Sequence, residues 1–246
     1  LSVLLAKVWH GRGARAGVAV PSSDAFFLHV ETRAGEPIIP LGLFRLRNVA
    51  VSNGVGVLWA AAMFAWFFLA ALYLQLVLGY DPLHVGLAFL PANLIMGAFS
   101  LGLSARIVMR FGVRVPIAVG MSLVAIGLAL FARAPVDRSF VVDVLPSMIV
   151  LGIGVGMAMN PVLFAAMSDV DVSESGLASG VVNTGFMMGG ALGLAVLASL
   201  AARRTSDLTA QGHGEIAALN GGYHLAFVVG AIFAVVASAL GAGQRG

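Results

Sequence analysis

Six long apolar runs dominate the pattern of hydrophobic and polar positions along the chain. They cover residues 54–78, 83–103, 115–132, 140–167, 177–200 and 223–242. Each is long enough to cross the hydrocarbon core of a bilayer as an α-helix. The intervening segments are short, apart from 201–222, and Gly79–Pro82 has the composition of a turn. The pattern predicts an all-α integral membrane protein, a six-transmembrane-helix bundle over residues 54–243.

Composition strengthens this interpretation. The chain is 60% hydrophobic and only 10% charged, and its mean hydropathy is +0.99. A soluble domain carries about 25% charged residues. The absence of cysteine excludes a disulfide-rich secreted fold. A net charge of only +3 gives no basis for nucleic-acid binding, so the lipid bilayer is the expected partner.

The basic residues predict the orientation of the bundle. The N-terminal side holds ten of the fourteen and the opposite side holds four, Arg133, Arg138, Arg203 and Arg204. The ten are Lys7, Arg12, Arg15, Arg33, Arg45, Arg47, Arg106, Arg110, Arg114 and Arg245. Cytoplasmic loops carry the excess of Lys and Arg. We therefore expect a multi-pass protein of the cell membrane with both termini in the cytoplasm.

Residues 1–53 do not follow the pattern of the spans. The first 21 residues lack an apolar run long enough to cross a bilayer. From Phe26 the chain becomes amphipathic and contains Pro37, Pro40, Arg45 and Arg47. We interpret 1–53 as a cytoplasmic N-terminal segment and connector. Within it, residues 1–21 are either poorly ordered or the damaged end of an earlier span. Residues 244–246 form a cytoplasmic tail.

Four sequence stretches resemble one family of membrane transporters. They are Glu36–Arg45 (EPIIPLGLFR), Leu72–Pro91 with its LYLQ, LGY and GLAFLP segments, Arg106–Arg114 (RIVMRFGVR), and Gly176–Gly193 with its GLASGVVNT and GGALG segments. Together they resemble the fourteen-helix drug:proton antiporters of the major facilitator superfamily. The resemblance extends over about residues 26–243 and implies that the six spans correspond to helices nine to fourteen, the C-terminal half.

The resemblance implies proton-driven efflux of small hydrophobic or cationic compounds by alternating access. The missing N-terminal transporter half would then be a partner. Met109 stands where the family's loop motif usually carries Asp, and the family's N-terminal acidic and arginine motifs have no counterpart in these 246 residues. Two alternatives stay open. One is a metabolite or self-resistance exporter of the same fold, and the other is a non-transporting membrane partner or fragment.

Side-chain amides within apolar spans are candidate functional groups. Gln75, Asn93, Asn160 and Asn183 are such residues. An amide in hydrocarbon is unfavourable without a partner, so these side chains should face the bundle or a water-filled cavity. They indicate either a substrate pathway or hydrogen bonds between helices.

The first span carries an aromatic stripe. Trp59, Met63, Trp66 and Tyr73 recur at helical spacing, and Phe64, Phe67 and Phe68 widen the stripe. Aromatic and methionine side chains can repack around varied apolar substrates, which favours a substrate pathway. Lipid-facing aromatic residues would produce the same pattern.

Prolines and glycines within the spans predict bends and close packing. Pro91 and the pair Asn160–Pro161 lie inside spans. Proline removes a backbone hydrogen bond there and can form a kink or a gate. Many membrane helices also contain proline without any gating role. Small residues at four-residue spacing allow helices to approach closely. The predicted packing glycines are Gly152, Gly156, Gly185, Gly189 and Gly193.

The cytoplasmic loop motif contains Arg106, Arg110, Gly112 and Arg114. The arginines can pair with anionic headgroups or helix C-termini, or serve only as positive-inside anchors. Asp169, Asp171 and Glu174 are their candidate partners on the same side.

Catalytic chemistry has little support in the sequence. We find no span serine–histidine pair, no Cys/His cluster for a metal and no phosphate-binding GxxxxGK[ST] loop. No catalytic residue, metal site or cofactor is therefore predicted.

Overall fold

A computed structural model describes residues 47–136, 140–167 and 175–243. Within these ranges the chain forms seven α-helices. They are α1 (Arg47–Leu72), α2 (Pro82–Ala98), α3 (Ser104–Phe111), α4 (Arg114–Phe131), α5 (Leu145–Met167), α6 (Ser175–Ala210) and α7 (Glu215–Ala242). Three π-helical turns extend them: Tyr73–Val77 after α1, Phe99–Leu103 between α2 and α3, and Phe140–Val144 before α5.

Six stretches of the described chain are long and apolar enough to cross a membrane. They are Val51–Val77, Pro82–Phe111, Arg114–Phe131, Phe140–Met167, Ser179–Ala210 and Glu215–Ala242. The predicted all-α fold with six spans is confirmed. The described residues form no strands, and only short turns separate one span from the next wherever the connection is described.

Helix ends differ from the sequence-based boundaries in three places. α1 begins at Arg47, inside the predicted connector. The basic loop after the second span forms the short helix α3. The long connection expected over 201–222 is mostly helical, because α6 continues to Ala210 and α7 begins at Glu215. Hydropathy detects only the part of a helix that suits hydrocarbon, so polar helical extensions escape it.

The extensions of α6 and α7 pack against each other. Leu208 is buried, and a Cβ added at Gly221 would meet its side chain. A Cβ at Gly222 would clash with the Thr205 hydroxyl and would lie 2.5 Å from the Ala201 carbonyl oxygen. These close contacts hold the two helices together past the end of the apolar run.

α1 lies at the centre of the bundle and packs against α5, α6 and α7. α4 packs between α5 and α7, whereas α2 makes most of its contacts with α5 alone. The largest fully buried side chains are Trp66, Tyr73, Phe131, Phe227 and Leu69. Since lipid tails are as apolar as these side chains, dispersion contacts between close-packed helices stabilise this core.

Several sequence-based expectations lie outside the described residues. They concern the segments 1–46 and 244–246 and the acidic residues Asp169, Asp171 and Glu174.

Candidate functional site

A groove of about 410 Å³ lies between α1 and α6. Its lining is apolar: Met63, Phe64, Phe67, Phe68, Ala71 and Leu194. Gly190 brings α6 close to this wall, because a Cβ there would lie 2.7 Å from the Phe64 ring. A groove with this lining offers dispersion contacts to a hydrophobic molecule and no charged or hydrogen-bonding side chain.

Aromatic contacts between α1 and α2 hold the groove-lining Phe67 in place. The Phe67 ring stacks on Phe89 of α2 at 5.3 Å between centroids and an interplanar angle of 15°. The centroid of the Trp66 ring lies 4.5 Å from that of Phe67 and 5.9 Å from that of Phe89. Trp66 is fully buried, so Phe67 is held between the core and the groove.

The structure divides the predicted aromatic stripe between two sides of α1. Met63 lines the groove together with Phe64, Phe67 and Phe68, whereas Trp59, Trp66 and Tyr73 are buried in the core. Trp59 packs on Phe186 of α6 at 5.8 Å. Within the described part of the chain, the indole Nε1 atoms of Trp59 and Trp66 have no hydrogen-bond partner. An unpaired buried donor is unfavourable, so the packing of these rings outweighs that penalty.

The predicted pathway amides lie mainly on open faces. Asn93 on α2, Asn183 on α6 and Gln75 after α1 are exposed, and Asn160 on α5 is partly buried. No hydrogen bond among the described residues involves any of their side-chain amides. The interhelical hydrogen bonds considered in the sequence interpretation are therefore not formed within the described bundle.

The open faces of α4 and α7 are apolar. Their exposed side chains are aliphatic, among them Val119, Ile126, Val228 and Ile232. The hydroxyls of Ser122 and Ser238 both donate to the Ala118 carbonyl oxygen, at 2.8 and 2.9 Å. These faces suit contact with lipid, and so do the aliphatic side chains exposed around the amides of α2 and α6, such as Leu94 and Leu192. The amides of Asn93 and Asn183 themselves need water or a polar partner.

Four predicted packing glycines lie at helix crossings. Added Cβ atoms at Gly152 and Gly156 would lie 2.9 Å and 3.2 Å from the Cα atoms of Ala92 and Met96. At Gly189 and Gly193 they would meet Val57 and Ala61 of α1. Gly185 has nothing within 4 Å, so the helices do not approach closely there.

A further crossing was missed in the sequence interpretation. Gly120 of α4 and Gly154 of α5 face each other, because a Cβ on either would lie 2.7–2.8 Å from the other's carbonyl oxygen. About two turns further along α4, a Cβ at Gly127 would be 2.5 Å from Leu151 Cγ. The seven-residue spacing of Gly120 and Gly127 was the available signal.

The predicted kink positions do not coincide with the backbone break. Pro91 and Pro161 lie inside the continuous helices α2 and α5. The break falls at Gly102, where φ is +121° and ψ is −5° within the turn Phe99–Leu103. Glycine adopts such a φ readily and other residues do not.

The loop-motif arginines surround the turn between α3 and α4. Arg106 and Arg110 are exposed. Arg114 is partly buried, and its Nε atom has no hydrogen-bond partner among the residues that the structure describes. The Arg110 guanidinium lies 5.4 Å from the centre of the Phe111 ring. At Gly112, φ is +72°. The described residues therefore place three positive charges at one end of the bundle.

Asp81 caps the N-terminus of α2, at the end away from the arginines. The backbone N–H of His84 donates to Asp81 Oδ1 at 2.8 Å, and the His84 imidazole Nδ1 lies 2.9 Å from the same oxygen. These hydrogen bonds, first the backbone one and then the side-chain one, hold the pKa of Asp81 below its usual value. Among the described residues no group of three or more His, Asp or Glu side chains is arranged to hold a metal ion.

Comparison with known proteins identifies the family. Residues 2–194 match the family model described as Major Facilitator Superfamily. The chain is 34% identical to a cephamycin export protein from Amycolatopsis lactamdurans over 94% of this chain and 47% of that protein. It is 33% identical to a puromycin resistance protein from Streptomyces alboniger, over 84% and 42%. It is 32% identical to a tetracenomycin C resistance and export protein from Streptomyces glaucescens, over 72% and 33%.

The chain thus spans less than half the length of these relatives. The family match covers well over half of the chain, and the six apolar helices agree with it. The predicted family is confirmed: this multi-pass membrane chain belongs to the major facilitator superfamily of transporters.

Proposed function

We propose that these six helices form the C-terminal half, helices nine to fourteen, of a proton-driven exporter of hydrophobic or amphipathic drugs. Transport proceeds by alternating access, in which this half rocks against an N-terminal half around a central cavity. Both chain termini lie in the cytoplasm, and the protein works in the cell membrane. The apolar groove between α1 and α6 is the observation that carries the proposal.

The groove supports an apolar substrate of variable shape. Phe68 is 48% exposed and Met63 is partly buried, so both can contact a bound molecule. The phenylalanine rings offer broad flat surfaces, and Met63 can adapt its conformation. Trp59, Trp66 and Tyr73 act on the pathway only indirectly, by holding the wall in place.

The exposed amides support a second half on the side of α2 and α6. Asn93 and Asn183 project from apolar helices without partners in the described chain. Facing lipid, each would lose its hydrogen bonds to water. Facing a second half across an aqueous cavity, each can bind water or polar groups of the substrate. The relatives' greater length leaves room for such a half.

Transport by the longer exporter that contains this chain tests the proposal. Its uptake of a hydrophobic cationic dye into inverted membrane vesicles is measured with and without an imposed proton gradient. We expect gradient-dependent uptake that Leu194→Trp, which fills the groove, reduces several-fold. Leu192→Trp is the matched control, because Leu192 is exposed on the same helix and does not line the groove. Equal transport by both variants would overturn the role of the groove, and uptake without a gradient would overturn proton coupling.

Export of one particular antibiotic is a second candidate, favoured by the relatives' names. Each of the three is named for resistance to, or export of, a single compound or compound class. A susceptibility panel in an efflux-deficient host separates the two. Protection against many unrelated hydrophobic drugs supports multidrug export, and protection against one structural class supports the narrower function.

A further inference from the structure

The short helix α3 is bounded by two glycines with positive φ. Gly102 (φ +121°) precedes it and Gly112 (φ +72°) follows it. A Cβ added at either glycine would have nothing within 4 Å. Close packing therefore does not explain glycine at these positions, whereas the backbone conformation does. α3 is therefore joined to α2 and to α4 by glycines in backbone conformations that other residues rarely adopt.

The buried hydroxyl of Ser104, next to the break at Gly102, does not make the hydrogen bond that is usual for serine in a helix. Ser104 is fully buried, and its Oγ atom has no hydrogen-bond partner among the described residues. Ser122, Thr184 and Ser199 each donate to the carbonyl oxygen four residues earlier, which is the common arrangement within helices. For Ser104 that carbonyl belongs to Ser100, on the far side of Gly102. The break at Gly102 thus separates the donor from its acceptor.

The segment around Gly102 can adopt a bent or a straight conformation, and the two differ in whether the Ser104 hydroxyl is hydrogen-bonded. The bent one, seen here, leaves Ser104 Oγ unpaired. A straight one would continue α2 into α3 and place Ser104 Oγ within reach of the Ser100 carbonyl oxygen. Since glycine accepts both helical and positive φ, Gly102 is compatible with either conformation.

We propose that Gly102 is a hinge at which α3 swings between this bent conformation and a straight one in which Ser104 donates to Ser100. Only the α3 end of the second span moves. The rest of α2 is held against α5, where Gly152 meets Ala92 and Gly156 meets Met96 and Phe99. The moving part carries Arg106 and Arg110, both exposed. The hinge thus lets these charges change position while the membrane-embedded contact stays fixed, which goes beyond the transport function proposed above.

Distance measurement between two spin labels tests the hinge. The chain contains no cysteine, so labels attach only at introduced positions. Leu94→Cys and Met109→Cys flank the hinge at side chains that are 66% and 79% exposed. In a straight helix these positions are about 22 Å apart at about 1.5 Å per residue, and bending shortens that distance. The full chain is reconstituted in liposomes and its distance distribution is recorded by pulsed electron paramagnetic resonance.

Two substitutions should shift the distribution in opposite directions. Gly102→Ala disfavours the bent backbone, so the distance between the two labels should be near 22 Å in most molecules. Ser104→Ala removes the hydroxyl that only the straight form satisfies and should move the population to shorter distances. Gly97→Ala is the control, because Gly97 lies within regular α2 and also has open space around it. Unchanged distributions in both variants, or a shift of Gly97→Ala equal to that of Gly102→Ala, would overturn the hinge.

Discussion

The imidazole of His224 donates from Nε2 to the carbonyl oxygen of Ala134 at 2.7 Å, joining residues 90 positions apart in sequence. Asn220 Nδ2 donates to the same oxygen at 3.3 Å, and the Tyr73 hydroxyl donates to the neighbouring Pro135 carbonyl oxygen at 3.1 Å. α7 and the end of α1 therefore fix the segment that leaves α4. The rings of Tyr73, Phe131 and Phe227 pack beneath this clamp, at 5.6 and 4.7 Å between neighbours.

Removing the donor of this clamp should weaken the fold. His224→Phe keeps a ring at the position and leaves the buried Ala134 carbonyl with only its longer hydrogen bond. We expect the free energy of unfolding to fall by about 1–3 kcal/mol. Denaturation in detergent micelles measures the change. His84→Phe is the control, since that exposed side chain should contribute within about 0.5 kcal/mol. Equal losses in the two variants would contradict a specific role for His224.

Stability at low pH should depend on the α2 cap. The pKa of Asp81 is lowered in the folded protein, so its stabilising contribution is present above its unfolded pKa of about 4 and is lost as pH falls through the lower folded value. Asp81→Asn keeps a capping oxygen at every pH. We expect its unfolding midpoint to decline less than that of the parent between about pH 5 and pH 2. Parallel pH profiles would rule out this assignment.

Helix crossings should differ in their tolerance of one added methyl group. At Gly152 a Cβ would meet the backbone of Ala92, so Gly152→Ala should destabilise by about 1–3 kcal/mol. Gly185 has open space, and Gly185→Ala should be neutral or stabilising by up to about 1 kcal/mol. Thermal denaturation of the two variants compares them directly. Destabilisation by Gly185→Ala as large as that by Gly152→Ala would disprove the distinction.

The exposed amides should matter for transport and not for the folding of this chain. Asn183→Leu removes a side chain that makes no hydrogen bond within the described residues, so its melting temperature should match or exceed that of the parent. Dye export by the longer transporter should fall several-fold. Leu192→Ala, at another exposed position on α6, serves as the control. Normal export by Asn183→Leu would remove this residue from the pathway.

The spans follow from the sequence because hydrocarbon excludes charge, and uninterrupted apolar runs record that directly. The direction in which each helix faces does not follow. From Gly54 onward α1 is apolar on all sides, so the pattern cannot distinguish the buried Trp66 from the groove-lining Phe68. Only packing against α6 and α2 separates them.

The backbone break illustrates the same limit. A proline in the sequence shows that one backbone hydrogen bond of the helix will be missing. α2 and α5 nevertheless remain helical at Pro91 and Pro161. The glycine that breaks the helix, Gly102, looks in the sequence like any other of the 31 glycines. Its role depends on backbone angles that composition does not encode.

The joined extensions of α6 and α7 have a practical consequence for imaging. α6 has 36 residues and is about 54 Å long, whereas the hydrocarbon core is about 30 Å thick. Small membrane proteins are hard to align in electron micrographs because a detergent micelle hides them. Here a closely packed pair of helices continues past the apolar region. An antibody fragment bound to the turn at Gln211–Gly214 would mark each particle's orientation.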